Sequence, residues 1–149
     1  MRPIIAQLCA CLCLILCGSC ASSQPDPKWV GGDLRAESER LIWAATRTSL
    51  DKNNFPIGAG IDEAHLTAMS GWRQSLAPFR GKGFRERCHI KWSNTAPSRW
   101  HLEVRVERQV NMDISHPLDP TYAEWEPDPD NEERARLVAQ YIRSMLASP

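Results

Sequence analysis

The adjacent residues Cys88 and His89 are where a nucleophile and its base would first be sought in this sequence, since an imidazole that activates a thiol makes the attacking group of many hydrolases. They lie in an alternating stretch, and successive side chains of a strand point to opposite faces, so thiol and imidazole cannot meet there. Cys88 reads instead as a small buried hydrophobe. His89 and His101 share a sheet face and approach each other only in a shifted register. Two imidazoles without a third ligand make a poor zinc site, and the Cys and His spacing of zinc motifs is missing. His65 and His116 fall in weakly patterned segments. Ser70 and Ser98 lack the Gly-x-Ser-x-Gly setting that exposes a serine nucleophile. Arg80-Gly81-Lys82-Gly83 offers backbone amides to a phosphate, yet reads more simply as a turn before a strand. No pair of acids stands isolated among apolar residues, as a tuned general acid requires.

These residues therefore predict no catalytic group, no metal site and no cofactor. What they offer is charge. Arg85, Arg87, His89, Lys91 and Arg105 gather on one face of the alternating segments, with Arg80 and Lys82 beside them and Glu103 and Glu107 partly neutralising them. That surface is either a solvated sheet face or a site for an acidic partner, such as cell-wall carboxylates or lipid phosphates. An open face and an edge strand would also accept a partner segment by strand addition.

Composition narrows the class. The chain has 149 residues, room for one ordinary domain. Lys and Arg number 18, as do Asp and Glu, a balance that excludes a nucleic-acid binder working through a basic footprint. With 42% hydrophobic residues and six Trp, a packed core is within reach and disorder throughout is not expected. Five of the six cysteines fall in the first twenty residues, which is not how a disulfide framework is spread.

That N-terminal cluster belongs to a different device. Met1-Arg2-Pro3 precedes a mostly apolar run of 14 residues, Ile4 to Cys17, followed by Gly18-Ser19-Cys20. A positive start, an apolar middle and small residues before a cut form a secretory signal peptide. As a helix the run would rise about 21 Å, short of the roughly 30 Å hydrocarbon core, so a permanent membrane span is the weaker reading. The proline-broken Ala21-Ser22-Ser23-Gln24-Pro25-Asp26-Pro27 that follows reads as a tether.

Leu16-Cys17-Gly18-Ser19-Cys20 resembles the lipobox of bacterial lipoproteins. The resemblance implies that the signal covers residues 1–19, that the Cys20 thiol receives a diacylglyceryl group, and that the new amine is acylated after cleavage. The departure is Cys17, which stands where the family prefers leucine. A triacylated cysteine supplies the two or more chains that stable anchoring requires. Ala21 and Ser22, in place of an aspartate, are similar to the family's signal for transfer to the outer membrane. With Cys20 acylated, Cys88 becomes the single thiol of the mature chain. An ordinary signal peptide, cut nearby to release a free exported protein, remains the alternative.

The elements that must position the charged face follow from periodicity. A tether over residues 20–32 leads into a helix over residues 33–50, with Asp33 as its cap and Leu34, Leu41, Ile42, Ala45 and Ser49 on its apolar side. Residues 55–61 suggest an edge strand with glycines and a proline, and residues 65–73 a second strand, unless a short helix runs from 62 to 69. Phe84, Glu86, Cys88, Ile90 and Trp92 share one face of a strand; Trp100, Leu102, Val104, Val106, Val110 and Met112 share one face of the next. Together they predict a hairpin around residues 93–98. The favoured register sets Lys91 opposite Glu103 and Arg87 opposite Glu107. Residues 113–129 hold four prolines and predict a loop. Asp130 to Glu133 cap a terminal helix over residues 131–147, with Arg134, Val138, Tyr141, Ile142 and Met145 along one side.

The expected architecture is α+β, a two-layer sandwich in which an antiparallel sheet of three or four strands packs on an N-terminal and a C-terminal helix, a single domain over residues 33–149. That order resembles small envelope lipoproteins with helix-grip-like domains, including those attached to outer-membrane assembly machinery. The function expected is a lipid-anchored cell-envelope protein, membrane-bound through its N-terminal lipid with the outer membrane favoured, displaying a non-enzymatic interaction domain to the periplasm or exterior. Its partners would be the membrane and an envelope protein or anionic envelope polymer, not nucleic acid. The alternatives are a periplasmic binding module for an amphiphile or lipid, and a secreted hydrolase.

Overall fold

A computed structural model describes residues 25–57, 60–76 and 81–147. Its spine is a long hairpin, β5 (Phe84–Ala96) and β6 (Arg99–Asn111), thirteen residues each. The register is the one that charge complementarity favours: Lys91 lies opposite Glu103 and Arg87 opposite Glu107. β5 runs further than its alternation suggests, through most of the expected loop, while β6 ends one residue before Met112, with a register shift between Asn94 and Ala96 and Ser98 at φ 56° in the turn. Period two does the burying: Cys88, Ile90, Trp92, Trp100, Leu102, Val104 and Val106 all enter the core.

Five short strands join this spine. On the β6 side lie β1 (Val30–Arg35) and β7 (Trp125–Asp128); on the β5 side lie β3 (Thr67–Met69) and β4 (Arg73–Ser75), with β2 (Gly60–Asp62) outside β3. The result is an antiparallel sheet of seven strands with two helices, an α+β fold whose sheet is larger than the three or four strands expected. Each extra strand has three to six residues, short for a period to show, and is held by its partner's backbone: β1, β3, β4 and β7 by the long hairpin, β2 by β3.

Three segments differ from the sequence expectation. Residues 30–35 are a strand, where a tether to 32 and a helix from 33 were expected. The cause is Gly31: a Cβ there would lie 1.8 Å from the Leu102 carbonyl oxygen, so only glycine lets β1 close on β6 in this way. The first helix, α1, is consequently Glu39–Lys52, and its buried stripe is Ile42, Trp43, Ala45, Thr46, Ser49 and Leu50, with Leu41 exposed. In the middle segment the two expected strands are there in shortened form and the alternative helix is not: the first contracts to β2 and the second to β3, with β4 starting at Arg73, and β2 turns into β3 through Glu63 to Leu66, the last at φ 54°. Finally, β7 interrupts the proline-rich loop, with Pro127 opposite Gln109 on an edge strand, where a missing N–H is tolerated.

The terminal helix α2 (Glu132–Ala147) begins as the capping residues predict: Asn131 Oδ1 accepts the Arg134 N–H at 3.0 Å. Its buried side is Ala135, Val138, Ala139 and Ile142, while Tyr141, expected on that side, is exposed. Both helices cover the inner face of the sheet. Ser49 Oγ donates to the Val138 carbonyl at 3.0 Å, joining them, and Trp92 Nε1 donates to Thr46 Oγ1 at 3.1 Å, joining helix to sheet. Trp92 and Trp100 pack edge to face at 6.5 Å.

Candidate functional site: the outer sheet face

The odd-numbered positions of β5 and β6 point away from the helices, so the arginine-rich pattern arrives on an outer face that neither helix covers. Arg85, Arg87, His89 and Lys91 form one column along β5; Glu103, Arg105, Glu107 and Gln109 form the neighbouring column along β6. Over these columns lie three half-buried tryptophans from three different parts of the chain. Trp29 comes from the residue before β1, Trp72 from the link between β3 and β4, and Trp125 from the start of β7.

Cations and indoles interleave. The Arg85 guanidinium sits 4.4 Å from the Trp72 ring centroid and 4.7 Å from that of Trp125. Arg87 lies 4.6 Å from Trp72, and Lys91 lies 4.1 Å from Trp29. Trp29 also packs edge-on to His89 at 6.5 Å. Such contacts contribute about 0.5–1 kcal/mol each at exposed sites, and they fix long side chains in place.

The cations then separate by what else holds them. Arg87 Nε donates to Glu107 Oε2 at 2.7 Å, and His89 Nε2 meets the same oxygen at 2.9 Å. A carboxylate only accepts, so Nε2 carries the proton in that contact. Arg105 reaches Asp130 with Nε at 2.7 Å and Nη2 at 3.2 Å, and the Lys28 backbone N–H donates to Asp130 as well, at 2.7 Å. Arg85, by contrast, has a neutral partner, Gln109 Oε1 at 2.8 Å, and Lys91 has an indole. Neither Arg85 nor Lys91 forms an ion pair among the described residues.

Titration behaviour reflects this division. Burial, helped by the charge of Arg87, works against the Arg85 guanidinium, and Glu107 offsets them only in part. Burial pushes the His89 imidazole below its ordinary value, with Glu107 opposing and Arg87 and Arg105 adding to the shift. Burial alone would raise Glu107, but hydrogen bonds from Arg87 and His89 outweigh it and hold its carboxyl below the usual range.

Beside the column, Trp29, Gly60, Thr67, Met69 and Lys91 border an open, mainly apolar groove of about 360 Å³. Met69 is exposed there.

A second constellation lies on the inner face. Glu86, 1% exposed, accepts from Arg73 at 2.6 Å and from Asn131 Nδ2 at 2.8 Å, with Arg108 at 3.9 Å. Arg108 is shared with Asp128 at 3.1 Å. Since Asn131 also caps α2, this buried cluster fastens the helix to the sheet.

Of the residues singled out by sequence, Arg85, Arg87, His89, Lys91 and Arg105 do come together on one face. Cys20 and Arg80 lie outside the described residues. Cys88 is fully buried on the inner face, and burial pushes its thiol far above the ordinary range, opposite His89 across the sheet. His101 shares the outer face but pairs with Asp33, well along the ladder from His89. Among the described residues, no three His, Cys, Asp or Glu side chains group to hold a metal, and no helix is long and apolar enough to cross a membrane. The tryptophans were expected mostly at the core or its margin with some exposed as partner anchors; which three would stand on this face was not legible, because Trp29 and Trp125 sit in segments without periodicity and Trp72 ends a short alternating run. The chain matches no protein-family model and no curated protein.

Proposed function

We propose that this protein is a lipid-anchored component of the cell envelope, held through Cys20, whose domain acts by binding rather than by catalysis. The observation that supports the reading is the outer sheet face, on which Arg85, Arg87 and Lys91 interleave with Trp29, Trp72 and Trp125 and no helix intervenes. Fixed cations framed by flat apolar rings recognise an anion mounted on an amphipathic body. Ion-paired Arg87 and Arg105 shape the surface, while Arg85 and Lys91 are the two cations free to meet a ligand's charge.

The buried thiol and the outward imidazole fit this reading better than a hydrolase, since nucleophile and base stand on opposite sides of the sheet. The lipobox-like Leu16 to Cys20 supports the address. The outer membrane is the favoured location, with the domain facing the periplasm or exterior in an accessory role in envelope assembly.

Metabolic labelling tests the anchor. Radiolabelled palmitate should enter the wild-type protein and not the Cys20→Ala variant, which should leave the membrane fraction. Unlabelled wild-type protein would refute it.

A further inference from the structure

The first described part of the chain reaches the sheet at the outer face. Lys28 donates its backbone N–H to Asp130, the same carboxylate that grips Arg105, and the next residue, Trp29, lies over His89 and Lys91. Only eight residue steps separate Lys28 from Cys20. Even fully extended these span about 26–29 Å, less than the width of a domain of this size. A lipid on Cys20 therefore keeps the margin of this face near the bilayer.

The chemistry of the face suits that neighbour. Trp side chains settle at the level of lipid headgroups, their rings apolar and their N–H groups polar. Lys and Arg are drawn to anionic headgroups within a Debye length, about 10 Å at 0.1 M salt. Arg85 and Lys91 are separated by six residues of β5, about 20 Å at 3.4 Å per residue, so they would meet different headgroups. Of the acids on the face, Glu107 and Asp130 are occupied by Arg87 and Arg105, and Asp33 by His101, which leaves Glu103, opposite Lys91, as the opposing charge on β6. Exposed Met69 and the apolar groove beside Trp29 add surface that gains by leaving water.

We infer that the outer sheet face is a docking surface for the anionic headgroups of the bilayer that holds the lipid anchor, so that the domain lies against the membrane on its tryptophan–cation columns. This rests on acylation of Cys20, and one experiment separates the two.

The mature protein, purified from membranes, is reconstituted into vesicles of phosphatidylcholine alone or with 30 mol% phosphatidylglycerol, each carrying a spin-labelled lipid that quenches indole fluorescence at headgroup depth. Trp43, Trp92 and Trp100 are buried, so quenching reports mainly Trp29, Trp72 and Trp125. Quenching should be strong with phosphatidylglycerol, weak without it, and lost in 0.5 M salt. Arg85→Glu combined with Lys91→Glu should lower the docked-to-undocked ratio by about 25-fold or more, taking a factor of about five for each surface cation lost, with unchanged circular dichroism.

Equal quenching in both vesicle types, or quenching that survives the double substitution, would overturn the inference. So would a soluble cell-wall glycan fragment that binds the face while the vesicles leave the indoles unquenched. Failure of the anchor looks different: the protein then separates from the vesicles on flotation, whereas failure of docking leaves it afloat with bright tryptophans.

Discussion

Replacing Glu86 by Gln keeps the shape of the side chain and removes its charge, leaving Arg73 and Arg108 on the inner face without their shared anion. Breaking a fully buried ion pair costs about 3–5 kcal/mol. Here the carboxylate is 1% exposed, but the arginines retain 24% and 34% exposure and Arg108 keeps Asp128, so water relieves part of the orphaned charge. The glutamine oxygen can still accept from Asn131. What is lost is chiefly the 2.6 Å charged bond from Arg73, about 1.5–3 kcal/mol. The expected destabilisation is about 2–3 kcal/mol, a substantial share of the roughly 5–15 kcal/mol available to a domain. Urea unfolding followed by tryptophan fluorescence should show an earlier midpoint with an unchanged slope. Arg73→Met in the Glu86→Gln background should cost less than in the wild type, because the charge it removes is already unpaired. Amide exchange should quicken in the first turn of α2, where Asn131 links Glu86 to the cap. A loss below about 1 kcal/mol, or additive effects of the two substitutions, would refute the view that this cluster fastens helix to sheet.

Gly31→Ala should cost about 3 kcal/mol or more, or detach β1 altogether, since its Cβ meets the Leu102 carbonyl; loss of exchange protection over residues 30–35 would report it, and a neutral effect would refute the close approach. Trp72→Ala should cost about 2–3 kcal/mol of stability, from two cation–π contacts and the covered part of a half-buried ring, while weakening the headgroup-dependent quenching of Trp29 and Trp125 as well as removing its own; a global collapse would place Trp72 in the core instead. On acidification, the unfolded chain protonates His89 near its ordinary value of about 6.5, whereas the folded chain does so only at lower pH. The unfolded state then holds more protons, so stability should fall as pH drops through that window, and fall again below about 4.5 as Glu107 follows with the same sign. His89→Gln should flatten the first step in a pH series of urea midpoints. Cys88 should resist alkylation in native buffer and react fully in urea, as read from the mass of its peptide.

The long hairpin was legible because thirteen-residue strands repeat their alternation often enough to fix face and register, and opposed charges chose among the remaining pairings. α2 was legible through its caps. β1 was not: Asp33, Arg35 and Glu37 look like a helical first turn, and the reason they are not lies in Leu102, far along the chain. β2, β3, β4 and β7 are too short to carry a period, so pairing with β3, β5 and β6 decides them. Of the outer face, the arginine column was visible, but which of the tryptophans would join it was not. Their position depends on how the chain enters β1, on the link between β3 and β4, and on the pairing of β7 with β6, which no local pattern records.

The pairing of β1 with β6 also sets an order of events. Val30 leaves any machinery that feeds the chain N-terminus first, but its ladder partner is Val104, and the interval between them holds one helix and most of the sheet. The β1 edge of the sheet thus stays open until β6 has been delivered. An arriving chain would remain loose and threadable for most of its passage, then lock late, with closure of the first strand as one of the last contacts made.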